Sequence, residues 1–403
     1  MKTMKVALLA TAALAAVSVS ARADDAAAIK AQLEALNARI AQLEAGPAMP
    51  VGYSLLAMSE VDQFTLTGEK ASDVSAISTA NRISILPTAD MPATSSIDWS
   101  IEVRTALTHT NNAPHVFATT TTPSALISTT YDDDTAVSVR ARVRVKATTE
   151  TSVGTVGVDV RFQGGTADFG SGGETVNMNI AWGYWAMTPD WTIGAGYTGT
   201  LSDPGHGMDS LAQFGTTIYF GAQGDQEQMR LTYSSGPLTW AVALEDSENH
   251  VAGPGGEHMQ LAVASRIDFA GDAFSASLSG YYAPDAPLAM VVTPGDDYWQ
   301  VAAGATLPLG DIATFSANAL FNSEDDFGAT AYVAFNMTEA ATVEFSAGHI
   351  WADAAASDVT KFNTGIYWKP VDQLKIGVQA EHIDDEALTE KQTSVSLVTW
   401  FSY

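Results

Sequence analysis

The chain has 403 residues, no cysteine and a formal net charge of −27. Without cysteine it forms neither disulfide bonds nor thiolate metal sites. Its acidic charge argues against nucleic acid as a partner, because phosphate binding requires a basic surface. Charged residues are nevertheless only 16% of the chain and the mean hydropathy is +0.05, so the chain is not a disordered acidic tail. This combination fits an apolar exterior, a polar interior and acidic loops.

Residues 1–23 have the three parts of a secretory signal peptide. Two lysines precede an apolar run from Val6 to Val19, which is too short to span a bilayer, and Ala21-Arg22-Ala23 follows. We predict cleavage before Asp24, with an uncleaved anchor as the alternative. No other stretch is long and apolar enough to predict a transmembrane helix.

Residues 24–45 carry a heptad pattern, with apolar residues at alternating spacings of four and three. The seam consists of Ile29, Leu33, Leu36, Ile40 and Leu43. It predicts a short α-helical coiled coil between chains, although so few heptads are marginal alone. An amphipathic helix on the protein's own surface is the alternative.

From residue 99 onward, apolar residues recur with period two. Aliphatic residues from Val137 to Val145 alternate with Arg140, Arg142, Arg144 and, one step further, Lys146. Four cations on one face of a strand cannot face lipid and would be costly in a packed protein core. We therefore expect this face to contact water and the opposite face to contact an apolar environment.

The same rhythm predicts sixteen strands between residues 99 and 403, mostly about ten residues long, as a tilted strand needs to cross a bilayer. Short turns alternate with connections that are usually longer, such as 109–135 and 201–227. The sequence thus predicts an all-β fold: a sixteen-stranded antiparallel transmembrane β-barrel, preceded by the coiled coil. A soluble sandwich is the alternative, but its outward face would be polar.

Aromatic residues near the strand ends are predicted to form the girdles that flank the apolar band of a membrane barrel. This set contains Trp182, Tyr184, Trp191, Trp240, Trp299, Trp351 and Trp368. The chain closes with Val395, Leu397, Thr399, Phe401 and Tyr403 at period two. That ending resembles the signature of barrels delivered to the outer-membrane assembly machinery.

The layout from 99 to 403 resembles the sixteen-stranded bacterial porin family, especially its alphaproteobacterial branch. Residues 180–200 and the segment Met229-Arg230-Leu231-Thr232-Tyr233 look like porin hairpins. The resemblance implies a homotrimer in the outer membrane of a Gram-negative bacterium, in contact with lipid and lipopolysaccharide. It also implies passive diffusion of small hydrophilic solutes and ions. Residues 24–45 and 46–98 lie outside the resemblance, and we assign 46–98 to a linker or small periplasmic segment.

In that family the third long loop folds into the barrel and narrows the pore. The resemblance implies that loop 201–227 does so here, with the acids Asp203, Asp209 and Asp225 facing a basic wall. That wall is the set Arg104, Arg140, Arg142, Arg144, Lys146 and Arg161. Opposed charges across a narrow aqueous gap favour small polar solutes. The alternative is that the loop acids only cap turns at the rim.

The sequence carries no nucleophile elbow, P-loop, dinucleotide fingerprint or H-E-x-x-H motif. We therefore expect no catalytic residue and no resident metal or cofactor. Acidic runs in the predicted outer loops, at 132–134, 324–326 and 384–386, either bridge to lipopolysaccharide through divalent cations or are simply solvated. His206 is either an exposed loop residue or a group whose titration modulates the pore.

Three functions remain open at this level. A general-diffusion channel is the prediction. The alternatives are a channel selective for phosphate, other anions or a sugar, and a non-channel envelope tether or adhesin. The helix at 24–45 either holds barrels in register or tethers the protein to peptidoglycan.

Overall fold

A computed structural model describes residues 56–61, 80–85, 95–119, 126–166, 176–207, 224–246, 261–284, 297–352, 358–386, 388 and 390–403. The predicted signal peptide, the coiled-coil seam at 24–45 and Asp209 lie outside these residues. The regular elements in the described ranges are β-strands: β1 (Leu56–Val61), β2 (Ala80–Ile85), β3 (Ser95–Thr119), β4 (Leu126–Thr151), β5 (Gly154–Gly165), β6 (Asn177–Ala186), β7 (Trp191–Gly199), β8 (Asp225–Ser235), β9 (Leu238–Asp246), β10 (Leu261–Ala270), β11 (Ser275–Ala283), β12 (Tyr298–Leu309), β13 (Ala313–Asn322), β14 (Phe327–Thr338), β15 (Ala341–Trp351), β16 (Val359–Val371), β17 (Leu374–Asp385) and β18 (Gln392–Ser402).

The sixteen strands β3–β18 form a closed antiparallel barrel. Each pairs with its neighbours in sequence, and β18 pairs with β3 from Thr393↔Asn111 to Ser402↔Glu102. Closure leaves none of these strands at an edge, so the backbone groups are satisfied within the sheet. The predicted sixteen-stranded antiparallel barrel is therefore confirmed. Outside the ring, β1 and β2 form a hairpin, and β2 pairs with the first residues of β3.

The two faces of the barrel have opposite polarity, as the period-two pattern requires. On β4, the side chains of Val137, Val139 and Val143 are exposed on the outer face, whereas those of Ser138 and Arg140 are buried on the inner face. The same alternation holds on the other strands, and the large exposed side chains are mostly Val, Leu, Ile, Phe and Trp. Among the described residues, no helix is long and apolar enough to cross a membrane.

The connection predicted at 109–135 differs from the structure. Strands β3 and β4 continue past the barrel as a paired ribbon that reaches Thr119↔Leu126, with a β-bulge between Thr110 and Ala113. Asn112 sits in this bulge with φ 56°, a left-handed conformation that asparagine tolerates. The loop-like residues around Asn112 thus mark a bulge within a hairpin rather than the start of a loop.

The aromatic girdle was predicted incorrectly at Trp182 and at Tyr184, whose ring lies against the inner face of Gly157 on β5. Trp240, Trp299, Trp351 and Trp368 have exposed side chains on the outer face, but Trp182 is buried on the inner face. Trp182 pairs with Asp159 across β5 and β6, and the side chain of Asp159 is buried on the same inner face. The ring lies against β7, where a Cβ on Gly194 would be 2.1 Å from Trp182 Cζ2. Glycine at this position lets the ring lie along the wall.

Candidate pore

The structure places all six predicted basic residues on the inner faces of β3, β4 and β5. We call this set, Arg104, Arg140, Arg142, Arg144, Lys146 and Arg161, the basic wall. Three acids share the same inner surface: Asp98, Glu102 and Asp159. The cations therefore outnumber the acids two to one, and this side of the interior carries an excess of positive charge.

Glu102 is surrounded by three guanidinium groups. Its Oε2 atom is 2.8 Å from Arg104 Nη2, and its Oε1 atom is 3.6 Å from Arg142 Nε and 3.9 Å from Arg140 Nη2. One carboxylate cannot neutralise three cations, so this part of the wall remains electropositive. Arg104 also stacks on Trp400, with Cζ 3.7 Å from the ring centroid, which extends the wall to β18.

Asp159 holds a second group on the same wall. Its carboxylate accepts two hydrogen bonds from Arg144, Nε to Oδ1 at 3.0 Å and Nη2 to Oδ2 at 2.6 Å. Lys146 Nζ lies 3.8 Å from the same Oδ2 atom. The sheet register creates this cluster, because Lys146 pairs with Asp159 and Arg144 pairs with Arg161 across β4 and β5. Two arginines directly opposite each other repel, and the bidentate Asp159 contact offsets that repulsion.

The segment that follows β7 runs along the inside of the barrel. Its first residues are fixed by Glu245 on β9, whose carboxylate accepts hydrogen bonds from Thr200 Oγ1 at 2.6 Å and from the Leu201 backbone N–H at 2.8 Å. Arg230 on β8 donates to the carbonyl of Gly199 at 2.6 Å. These contacts turn the chain inward at the end of β7. We call residues 200–207 the inward segment.

Side chains from β10, β11 and β13 bind the backbone of the inward segment, and β12 binds the side chain of its His206. Arg266 on β10 donates to the Asp203 carbonyl at 3.0 Å, and Ser279 on β11 donates to the Ser202 carbonyl at 2.7 Å. Ser277 donates to the Pro204 carbonyl, and Asn318 on β13 donates to the His206 carbonyl. The His206 ring also bonds through Nδ1 to Thr306 Oγ1 on β12 at 2.8 Å. We call the inner faces of β9–β13 the anchoring wall.

Small residues make room for this segment. Leu201 is fully buried in a cluster that includes Ala241, Ala243, Ala262 and Ala264. Larger side chains on these inner faces would occupy the space that Leu201 fills. Further along, a Cβ on Gly304 would lie 2.6 Å from His206 Cδ2 and 2.3 Å from Asn318 Oδ1. Alanine and glycine thus shape the anchoring wall to fit the segment.

The basic wall and the anchoring wall lie on opposite sides of the barrel. In a closed ring of sixteen strands, β4 and β12 are eight strands apart in either direction, which makes them diametrically opposed. The inner residues of the anchoring wall nearest β12 are uncharged, namely Gln300, Ser316 and Asn318. Of the predicted loop 201–227, the described residues 201–207 thus lie along the anchoring wall, opposite the basic wall.

The predicted loop acids do not all fit the expected arrangement. Asp203 is buried, with 9% of its surface exposed, and its Oδ1 atom accepts a hydrogen bond from the Gly205 backbone N–H at 2.9 Å. It thus stabilises a turn. Asp225 is the first residue of β8, so the loop ends three residues before the predicted 227. On this part of β8, the side chains of Gln226 and Gln228 are buried in the interior.

Sequence reasoning missed the residues that anchor the inward segment. Glu245, Arg230 and Arg266 each occupy an inward position of a period-two strand, so their orientation was readable. Their role as anchors could not be read from the sequence, because each binds a backbone carbonyl, a backbone N–H or a hydroxyl group that is distant in sequence. The separation is 63 residues for Arg266 and Asp203.

A closed sixteen-stranded barrel with an inward-folded segment and a charged interior is the architecture of bacterial porins. No family model matches the chain, and no curated protein matches it. Among solved structures, the outer membrane channel DcaP of Acinetobacter baumannii superposes with a TM-score of 0.57 at 16% identity, covering 77% of this chain and 97% of that one. The anion-selective porin from Comamonas acidovorans superposes with a TM-score of 0.55 at 11% identity, covering 77% of this chain and all of that one. The chain thus has the porin fold.

Proposed function

We propose that this protein is an outer-membrane porin: a water-filled channel through which small hydrophilic solutes and ions diffuse passively. The observation that carries the proposal is the polarity of the closed ring, with ionised side chains inside and large apolar side chains outside. Such a barrel is stable only where lipid surrounds it and water fills it. The porin fold of the two solved channels supports the same function, and a channel needs neither a catalytic residue nor a cofactor.

The charge distribution favours anions over cations. Fixed positive charge in a narrow aqueous passage raises the local concentration of anions and lowers that of cations. The basic wall carries this excess, and the uncharged side chains near β12 on the opposite wall do not cancel it. One of the two similar structures is named as an anion-selective porin, which agrees with this preference.

The test is conductance across a planar bilayer. Purified protein should insert and give discrete current steps, and the reversal potential in a salt gradient should report anion preference. A protein that stays soluble without detergent, or that never conducts, would contradict the proposal. A cation-selective reversal potential would contradict only the proposal that the basic wall lines the narrowest part of the pore.

A channel selective for phosphate or a related anion is the second candidate. The three arginines around Glu102 form a site with several donors for one oxyanion. Inorganic phosphate should then block chloride current at low concentration, and absence of block would leave general diffusion. A sugar channel is less well supported, because Tyr281 and Tyr298 are buried in the cluster that contains Leu201 and offer no open stacking face.

The signal peptide, the trimer and the coiled coil at 24–45 belong to the same proposal. Export delivers the barrel to the outer membrane, where lipid and lipopolysaccharide surround it, and its last strand engages the assembly machinery. The seam at Ile29, Leu33 and Leu36 then links three barrels. Deleting 24–45 should leave conducting barrels but lower the temperature at which trimers dissociate, because each buried Leu or Ile contributes about 1.5–3 kcal/mol. If the truncated trimer melts with the full-length one, tethering to peptidoglycan becomes the better explanation.

A further inference from the structure

The outer wall of the barrel contains a groove across β13–β18. Its volume is about 780 Å³. Small side chains form its floor, and the rings of Phe315, Phe345 and Phe362, all exposed, border it. Its floor comprises Ala331, Ala347, Thr364 and Ala380. We call it the outer groove.

The sheet register explains why these residues form a continuous channel on the surface. Phe345 pairs with Val333 on one side and with Thr364 on the other, and Thr364 pairs with Ala380. In the adjacent row, Ala347 pairs with Ala331 and with Phe362. Two neighbouring rows of outward side chains therefore run side by side across the strands, and the groove follows the small residues between the large ones.

One end of the outer groove is polar. His382 on β17 and Thr393 on β18 line it there, and His382 Nδ1 bonds to Thr393 Oγ1 at 2.9 Å. This end lies near the connection between β17 and β18, the side of the barrel that carries the longer connections. With Nδ1 engaged by Thr393, the ring nitrogen that can donate to a ligand is Nε2.

The same arrangement recurs on the outer surface at this end of the barrel. His109 bonds to Thr135 at 2.9 Å across β3 and β4, and His349 bonds to Thr360 at 2.6 Å across β15 and β16. In both pairs the bond is made by Nδ1. With the barrel in the proposed outer-membrane location, imidazoles at this end of the strands lie near the lipid headgroups. Asp384, beyond His382 on β17, is paired with Lys391, which reduces its repulsion of an anion.

We propose that the outer groove binds one phosphorylated membrane lipid, with an acyl chain along the alanine floor and the phosphate at His382. An apolar cleft with a single polar end matches an amphiphile. A second barrel is a poorer match, because a convex wall would contact the phenylalanine borders without reaching the floor. The inference rests on the proposed membrane location but not on conduction.

The experiment is native mass spectrometry of the full chain released from nanodiscs that contain phosphatidylglycerol. Wild-type protein should retain the lipid, and Ala347→Trp, which fills the groove, should weaken retention about tenfold. Excluding two methylene groups of the acyl chain from the groove would suffice, because each buried methylene group raises the affinity about fourfold. Ala303→Trp, the same change on the outer face of β12 and outside the groove, should retain lipid as the wild type does. Ala380→Leu is a milder filling variant in case Ala347→Trp fails to fold.

The headgroup is tested separately. His382→Gln keeps a partner for Thr393 but removes the ring Nε2 donor, so it should weaken retention of phosphatidylglycerol and not that of a phosphate-free diacylglycerol. Equal retention by the wild type and both filling variants overturns the lipid site. A change in oligomeric state on filling the groove would also overturn it, in favour of a contact between copies. Conductance is measured on the same variants. Wild-type conductance together with equal lipid retention would refute the lipid site and leave the proposed channel unaffected.

Discussion

The basic wall and the anchoring wall face each other across one barrel but are built on different principles. On the basic wall, charged side chains interact mainly with one another across neighbouring strands, as in the Arg144–Asp159 pair. On the anchoring wall, side chains such as Glu245 and Ser279 bind the backbone of another segment. The first arrangement leaves excess charge facing the lumen, and the second fixes a segment in space. Charge selectivity and pore shape are therefore assigned to different strands.

If this division is correct, substitutions on one wall should leave the property of the other unchanged. The largest expected effect is on selectivity. Replacing Arg140, Arg142 and Arg144 with alanine removes three of the six cations of the basic wall, so the anion-to-cation permeability ratio should fall several-fold. The reversal potential in a salt gradient measures it.

The matched control for that variant replaces the same three arginines with lysine. Lysine keeps the charge, so selectivity should stay close to that of the wild type even though the bidentate contact with Asp159 is lost. An unchanged reversal potential in the alanine variant would show that these side chains do not line the narrowest part of the pore.

The second prediction concerns pore shape. Glu245→Ala leaves the Leu201 N–H and the Thr200 hydroxyl without their acceptor, at a cost of about 1–3 kcal/mol in attachment of the inward segment. Single-channel current noise and mean conductance should rise while the reversal potential stays the same. Glu245→Gln keeps an oxygen for the Leu201 N–H, and its amide NH2 can donate to the Thr200 hydroxyl, which also accepts, so it should behave like the wild type. A shift in selectivity with no change in noise would contradict the division between the walls.

A smaller effect is expected at Gly304. Gly304→Ala places a methyl group 2.6 Å from His206 Cδ2, so the ring must move and its bond to Thr306 should weaken. Conductance should change modestly in the same direction as in Glu245→Ala. Gly280→Ala on β11 adds a methyl group that meets nothing within 4 Å and should match the wild type. Equal behaviour of both variants would mean that the His206 contact does not hold the segment.

The smallest predicted effect is a pH dependence. Burial lowers the pKa of His206 below its ordinary value; Asp268 opposes this shift and Arg266 adds to it. Because the attached segment binds the proton less readily than a released one, the attachment is fully stable above about pH 6.5 and weakens as the pH falls through the lowered pKa. Current noise should therefore increase in acid. His206→Gln should remove this dependence, and a wild type that is insensitive to pH down to pH 4 would contradict it.

Much of the barrel could be predicted from the sequence, because its signal is local. Strands β9 and β15, at Leu238–Asp246 and Ala341–Trp351, each lie within the predicted period-two region. The predictions failed where the same local sequence is compatible with two different structures. The residues around Asn112 are compatible with a bulge as well as with a loop. Trp182 near a strand end suits a girdle, but its pairing with Asp159 places it on the inner face.

The sequence by itself determined which side chains share a face, because alternation along an extended strand is fixed by backbone geometry. It thereby determined the inward orientation of Arg140 and its neighbours and the count of sixteen strands. Only the tertiary structure decided which walls oppose each other and where the inward segment is held. Those properties depend on ring closure and on contacts between distant residues, such as His206 with Thr306, 100 residues apart, and Asn318 with His206, 112 apart. No local pattern encodes such pairs, since each forms only after the barrel has brought its strands together.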